Sequence, residues 1–123
     1  MTKEEATGIV SELADATMNF VMNDIICELA SPATQYDVDR VTASQIELDN
    51  VRLRIVKCGV SRFAIGSVIG AAEEKTRIMA AMGMAPLRVP CSKAGAAVLR
   101  VSDKIDMDLS KAKEDLIREM ISP

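Results

Sequence analysis

Val51-Arg52-Leu53-Arg54-Ile55-Val56-Lys57-Cys58-Gly59-Val60-Ser61-Arg62-Phe63-Ala64-Ile65-Gly66-Ser67-Val68-Ile69-Gly70 is the stretch from which the architecture of this chain can be read. Gly59 stands where a helix stops, because a residue without a Cβ reaches the left-handed conformation at least cost. Ser61 offers a hydroxyl to cap a new helix two residues later, and Val60 can staple onto Ile65. Arg52, Arg54 and Lys57 fill the last turns before the stop, where the helix dipole favours positive charge. The stretch therefore reads as helix, tight turn, helix.

Upstream, Val38, Val41, Ile46 (or Gln45), Leu48, Val51, Ile55 and Val56 keep a helical period, which predicts a helix over about 35–58. Thr34 and Asp37 are both candidate caps for its start. Downstream, Ile65, Val68, Ile69, Ala72, Met79 and Met82 predict a helix over about 61–82 that ends at Gly83. Gly66 and Gly70 stand four apart within it. Each costs on the order of 1 kcal/mol relative to Ala, which predicts a close approach by another helix backbone. Glu73 and Arg77 are ordered for an i,i+4 ion pair.

Two further helices flank this hairpin. One is predicted over about 2–29, with Thr2 as its cap and Glu4 and Glu5 in its first turn. Its first half is amphipathic, through Ile9, Val10, Leu13 and Ala16. Its second half is apolar around most of its circumference, so it needs cover on more than one side. Either it is the central helix of a bundle, or Met18, Val21, Met22 and Ile25 form a face for a partner or a second copy. The other helix is predicted over about 92–121. Its stripe of Val98, Val101, Ile105, Leu109, Ala112, Leu116 and Met120 never slips phase across Asp106–Asp108, which favours one helix; two helices, with Ser110 capping the second, is the alternative. The connection before it, with Pro86 and Pro90, is apolar and is expected to pack across a bundle end. Four long helices joined by short loops predict an all-α, antiparallel up-and-down bundle forming one domain over residues 1–123. Phe20, Tyr36 and Phe63 are the only aromatics, so the core must be aliphatic.

Charge is segregated along the chain. Residues 1–50 carry two basic and ten acidic side chains, and residues 51–100 carry nine basic and two acidic. Such polarity suits a surface for nucleic acid, or complementary faces that pair within or between chains. Arg52, Arg54, Lys57 and Arg62 form the basic patch at the hairpin tip.

Residues 59–69 are similar to the turn and second helix of the helix-turn-helix of lac-repressor-type regulators. The resemblance implies that Val60, Ile65 and Val68 pack inward while Ser61, Arg62, Ser67 and Phe63 face DNA. It covers at most 20 of the 123 residues. Arg54 and Ile55 stand where that motif has an apolar and a small residue, and the helix before the turn is about 22 residues long, where the motif's is short. The same string also suits an antiparallel hairpin whose basic tip lies beside the acidic first helix.

The sequence offers no catalytic residue set. Histidine is absent, which removes the commonest general base and metal ligand and excludes a di-iron bundle. No phosphate-binding glycine loop is present. Cys27, Cys58 and Cys91 are widely spaced and read as thiols in a reducing compartment. Cys58 is the one candidate nucleophile, but a helix C-terminus disfavours its thiolate. Asp103, Asp106 and Asp108 lie among lysines and read as a solvated helix face, not a metal site. No catalytic, cofactor or metal residue is assigned, and no small-molecule substrate is evident. With no leader ahead of Lys3-Glu4-Glu5 and no apolar run of about 18 residues, the chain is expected to be cytoplasmic and not membrane-bound. The expected function is non-catalytic association with itself or another protein; the alternative is a DNA-binding regulator using 51–70.

Overall fold

A computed structural model describes residues 1–84 and 93–122, with side chains for all of these except 83–84 and 93–102. It contains four helices: α1 (Lys3–Leu29), α2 (Gln35–Val56), α3 (Arg62–Met84) and α4 (Lys93–Ile121). The apolar connection between α3 and α4 lies outside the described residues, as do the side chains of Val98 and Val101.

The helix starts follow from local chemistry. The Thr2 hydroxyl accepts from the Glu5 N–H at 3.1 Å and opens α1. Thr34 and Asp37 cap α2 together. The Asp37 N–H donates to the Thr34 hydroxyl at 3.3 Å, and the Asp37 carboxylate accepts from the Thr34 N–H at 2.9 Å. Two otherwise unpaired N–H groups are thereby satisfied. The two candidate caps are halves of one motif.

The Thr34 N–H first, and then the Thr34 hydroxyl, which donates to the same carboxylate at 2.9 Å, hold the Asp37 carboxyl below its ordinary pKa. A depressed carboxyl contributes stability above its unfolded pKa and loses it as pH falls through the folded value. Thr34→Ala removes the capping hydroxyl and is expected to cost about 1 kcal/mol at neutral pH. It should also flatten the acid limb of the stability curve below about pH 4. Urea titrations at several pH values check this; because the Thr34 N–H remains in Thr34→Ala, Asp37→Asn is the full comparison, and an acid limb unchanged in both variants would remove Asp37 from the cap.

The helix ends differ in part from expectation. α2 stops at Val56, and Lys57, Cys58 and Gly59 make the turn. Gly59 has φ +78°, so the chain uses the left-handed conformation there. α3 runs through Gly83 to Met84 instead of stopping at that glycine. α4 is continuous through Asp106–Ser110.

α1 is the spine of the bundle. It packs against all three other helices. Its buried residues (Ala6, Val10, Leu13, Ala14, Ala16, Thr17, Val21 and Asn23) spread over about half the circumference at about 100° per residue. α1 and α2 are antiparallel: Arg54 meets Glu12 at 2.7 Å near one end, and Asn23 meets Ser44 at 3.3 Å further along. α3 and α4 are antiparallel too, tied by Ser61 to Glu119 and by Lys75 to Asp106 at 3.0 Å. α2 lies along α1, meets α3 only slightly, and has no contact with α4 among the described residues. The bundle is thus an α1–α3–α4 core with α2 laid along α1.

Among the described residues the main aliphatic cluster lies around the Gly59 end of the bundle. Ala6, Val10, Leu13 and Ala14 of α1 join Leu48, Val51 and Ile55 of α2, Ala64 to Ala72 of α3 and Leu109 to Met120 of α4. Toward the other end polar groups enter the interior and satisfy one another. The Ser44 hydroxyl donates to the Arg40 carbonyl at 2.8 Å and accepts from the Asn23 amide. Thr76 donates to the Ala72 carbonyl at 2.8 Å. No buried side-chain polar atom lacks a partner among the described residues, which avoids the desolvation cost of an orphan.

Three packing expectations are corrected. Gly66 and Gly70 meet no close helix among the described residues: both are exposed, with no described atom within 4 Å of an added Cβ. On α3 the inner position after Ala72 is Thr76, while Met79 is exposed. On α2 the inner stripe is Ser44, Leu48, Val51 and Ile55, while Val38, Ile46 and Val56 are exposed. On α4, by contrast, Ile105, Leu109, Ala112, Leu116 and Met120 are all buried as their spacing predicts.

Candidate interaction surface

The turn between α2 and α3 forms around Gly59, but the two helices part from it, α2 to pack on α1 and α3 to pack on α1 and α4, instead of pairing as an antiparallel hairpin. Val60 is half-buried against the core, and Ile65 and Val68 are buried. The residues that the helix-turn-helix resemblance turns inward thus lie inside the bundle, as they would in any turn between two packed helices. Those it turns outward are arranged differently. The Glu119 carboxylate at the end of α4 accepts from the Ser61 N–H and hydroxyl, both at 3.0 Å. The Ser61 hydroxyl in turn accepts from the Ala64 N–H at 3.2 Å. The positive end of α3 is thus already matched to the protein's own anion. Ser67 donates to the Phe63 carbonyl at 2.9 Å. Arg62 and Phe63 remain exposed, Phe63 at 84%.

The four basic-patch residues divide into two kinds. Arg54 is engaged by Glu12 of α1, which places the tip beside the acidic helix. Arg52 lies 3.7 Å from Asp49 within α2. Lys57 and Arg62 are exposed. Each exposed pair adds only about 0–1 kcal/mol, so these contacts set position more than stability.

The α1 face divides as well. Val21 is 3% exposed and belongs to the bundle's own interior. Met18 is half-buried and packs against the core. Met22 and Ile25 are half-buried, and Ile26 and Leu29 beyond them are exposed. Packing within the chain accounts for much of the apolar character of α1.

The larger unpartnered apolar surface is on α2. Val38 is 44% exposed, Ile46 56%, Leu53 57% and Val56 50%. These four fall within about 80° of one another on a helix, opposite the Ser44–Leu48–Val51–Ile55 stripe. The sequence carries the signal in its phase. Ile46 and Leu48 are two apart, and Ile55 and Val56 are neighbours, so neither pair can share a face. The single stripe expected on α2 is in fact two faces.

Among the described residues no group of three potential ligands could hold a metal ion. Cys27 is half-buried and Cys58 exposed, and both are free thiols; Cys91 lies outside the described residues. Asp103, Asp106 and Asp108 are exposed, and Asp106 pairs with Lys75. No described helix is long and apolar enough to cross a membrane.

Fold and surface together define an all-helical four-helix bundle with one helix open on its outer side. Comparison with protein-family models, with curated proteins and with solved structures finds no match.

Proposed function

We propose that this chain is a non-catalytic helical module that acts through protein–protein association, with itself or with another protein. The observation that carries this is α2. It is covered on one side only and presents Val38, Ile46, Leu53 and Val56 on the other. Apolar residues aligned on one exposed helix face suit a partner helix better than solvent. Segregated charge, with Arg54 already reaching an acidic helix, supports steering and registration of such faces.

The test is sedimentation equilibrium over the micromolar range. The expected result is a mass that rises with concentration. Ile46→Asp should abolish that rise while helicity is retained, because Ile46 lies outside the core. Ile25→Asp, on the α1 face, should leave it in place. A monomer at every concentration would overturn self-association.

Exposed Lys57 in the turn, with Arg62 and Phe63 at the start of α3, supports a second reading, in which this corner meets duplex DNA. Glu119 beside Ser61 opposes it by placing negative charge where a phosphate would sit. A gel shift at low salt that weakens with Arg62→Ala and with added salt would favour DNA; no shift on any duplex removes it.

A further inference from the structure

The outer side of α2 carries a specific docking geometry, which rests on the proposed self-association. There the stripe runs Val38, Thr42, Ile46, Asp49, Leu53, Val56, advancing by three or four residues throughout. That is the spacing of a two-helix seam. The spacing is nearly the same read in either direction, and both ends are apolar. Reversed about its midpoint, Val38 comes opposite Val56, with Thr42 near Leu53 and Ile46 near Asp49. A stripe that can meet its own reversal suits a two-fold interface, where residue i must meet j while j meets i.

Charge beside the stripe selects the direction. Asp39 and Lys57 are 18 residues apart, about five full turns, so they lie on the same flank of the seam at opposite ends. Lys57 keeps right-handed helical angles, φ −64° and ψ −17°, and so extends that flank past the end of α2. Both side chains are exposed. In an antiparallel pair each flank meets the same flank of the partner, reversed. Asp39 then comes within a turn of the second copy's Lys57, and the contact occurs twice. A parallel pair would instead gather the two Lys57 side chains at one end and the two Asp39 side chains at the other. Asp49 is the one charged residue in the seam and lies near its centre, beside Arg52 on the other flank. Reversal brings the second copy's Gln45 opposite Asp49, where its amide can donate to the carboxylate. A single charged position of this kind fixes register.

We infer that a second copy of this chain docks on the outer face of α2, antiparallel to it, with Ile46 and Asp49 beside the two-fold axis. The seam is about 27 Å long, from Val38 to Val56.

Cysteine cross-linking tests the direction. In a chain carrying Cys27→Ser, Cys58→Ser and Cys91→Ser, Val38→Cys and Val56→Cys are made separately. Both positions are exposed, so neither change disturbs the core. Under mild oxidation the mixture should give several-fold more cross-linked dimer than either variant alone. Val38→Cys cross-linking mainly with itself would overturn the antiparallel arrangement. So would equal yields from all three samples. Sedimentation supplies the second measurement. Leu53→Asp should weaken association about tenfold or more. Asp39→Lys should weaken it, and Asp39→Lys with Lys57→Asp should restore part of the loss. A wild-type chain that associates, yet is indifferent to Leu53→Asp and gives no Val38–Val56 cross-link, overturns this geometry while leaving self-association standing. A wild-type monomer overturns both.

Discussion

Leu13→Ala is expected to lower stability by about 2–5 kcal/mol, whereas Leu53→Ala, read at concentrations low enough for the chain to be monomeric, should change it by no more than about 0.5 kcal/mol. The residue types are identical and the environments opposite. Leu13 is fully buried in α1, within the core cluster. Removing its side chain forfeits transfer free energy and leaves a cavity among helices that cannot all close in on it. Leu53 is 57% exposed on the outer face of α2, so truncation removes little buried area in the monomer. Urea titrations read the difference as a shift in midpoint at unchanged slope. A loss below about 1 kcal/mol for Leu13→Ala would mean that α1 is not the spine of the bundle. Val21→Asp belongs with Leu13→Ala. It places an unpaired carboxylate in the interior and should unfold the chain, not merely detach a partner.

Gly66→Ala and Gly70→Ala are expected to raise stability by about 0.5–1 kcal/mol each, and to add. Both glycines are helical and exposed, with free space where a Cβ would go. Alanine there removes unfolded-state freedom without meeting a neighbour. The pair should raise the melting temperature by roughly 5 °C. Gly59→Ala should do the reverse, at a cost of about 1–2 kcal/mol. Space is free there as well, but φ is +78°, a conformation that alanine resists. Thermal denaturation of the three variants separates the cases. A destabilised Gly66→Ala would show that something packs on this face of α3, such as a second chain.

Helix boundaries are legible in the sequence wherever the signal is local. Thr2, Thr34 with Asp37, Gly59 and Ser61 act within about one turn of themselves, so neighbouring residues suffice. The α4 stripe is legible because only one face of that helix is apolar. α2 is ambiguous because two apolar faces share one helix. Val38, Ile46 and Val56 belong to one, and Leu48, Val51 and Ile55 to the other. Gly66 and Gly70 mislead because a glycine pair looks the same in sequence whether a helix crosses it or solvent does. Gly83 reads as a stop for α3, but a capping glycine works by taking the left-handed conformation itself, and Gly83 stays helical.

The candidate surface is legible only in outline. Apolar excess in α1 suggests an interface there. The bundle buries Val21 internally, because α1 must face three helices at once. Arg54 is one of four equivalent basic residues until α2 lies against α1 and brings Glu12 within 2.7 Å. Glu119 has no visible role until α4 returns to the start of α3.

The sequence alone determined an all-helical chain of four long segments, where each begins, and the tight turn at Gly59. Those properties depend on apolar period and on caps a few residues wide. Only tertiary structure decided that α1 is the spine, that α2 is covered on one side, and which of its apolar stripes is left to solvent. Side chains of equal hydrophobicity are distinguished by what packs against them, and that depends on residues far away in the chain.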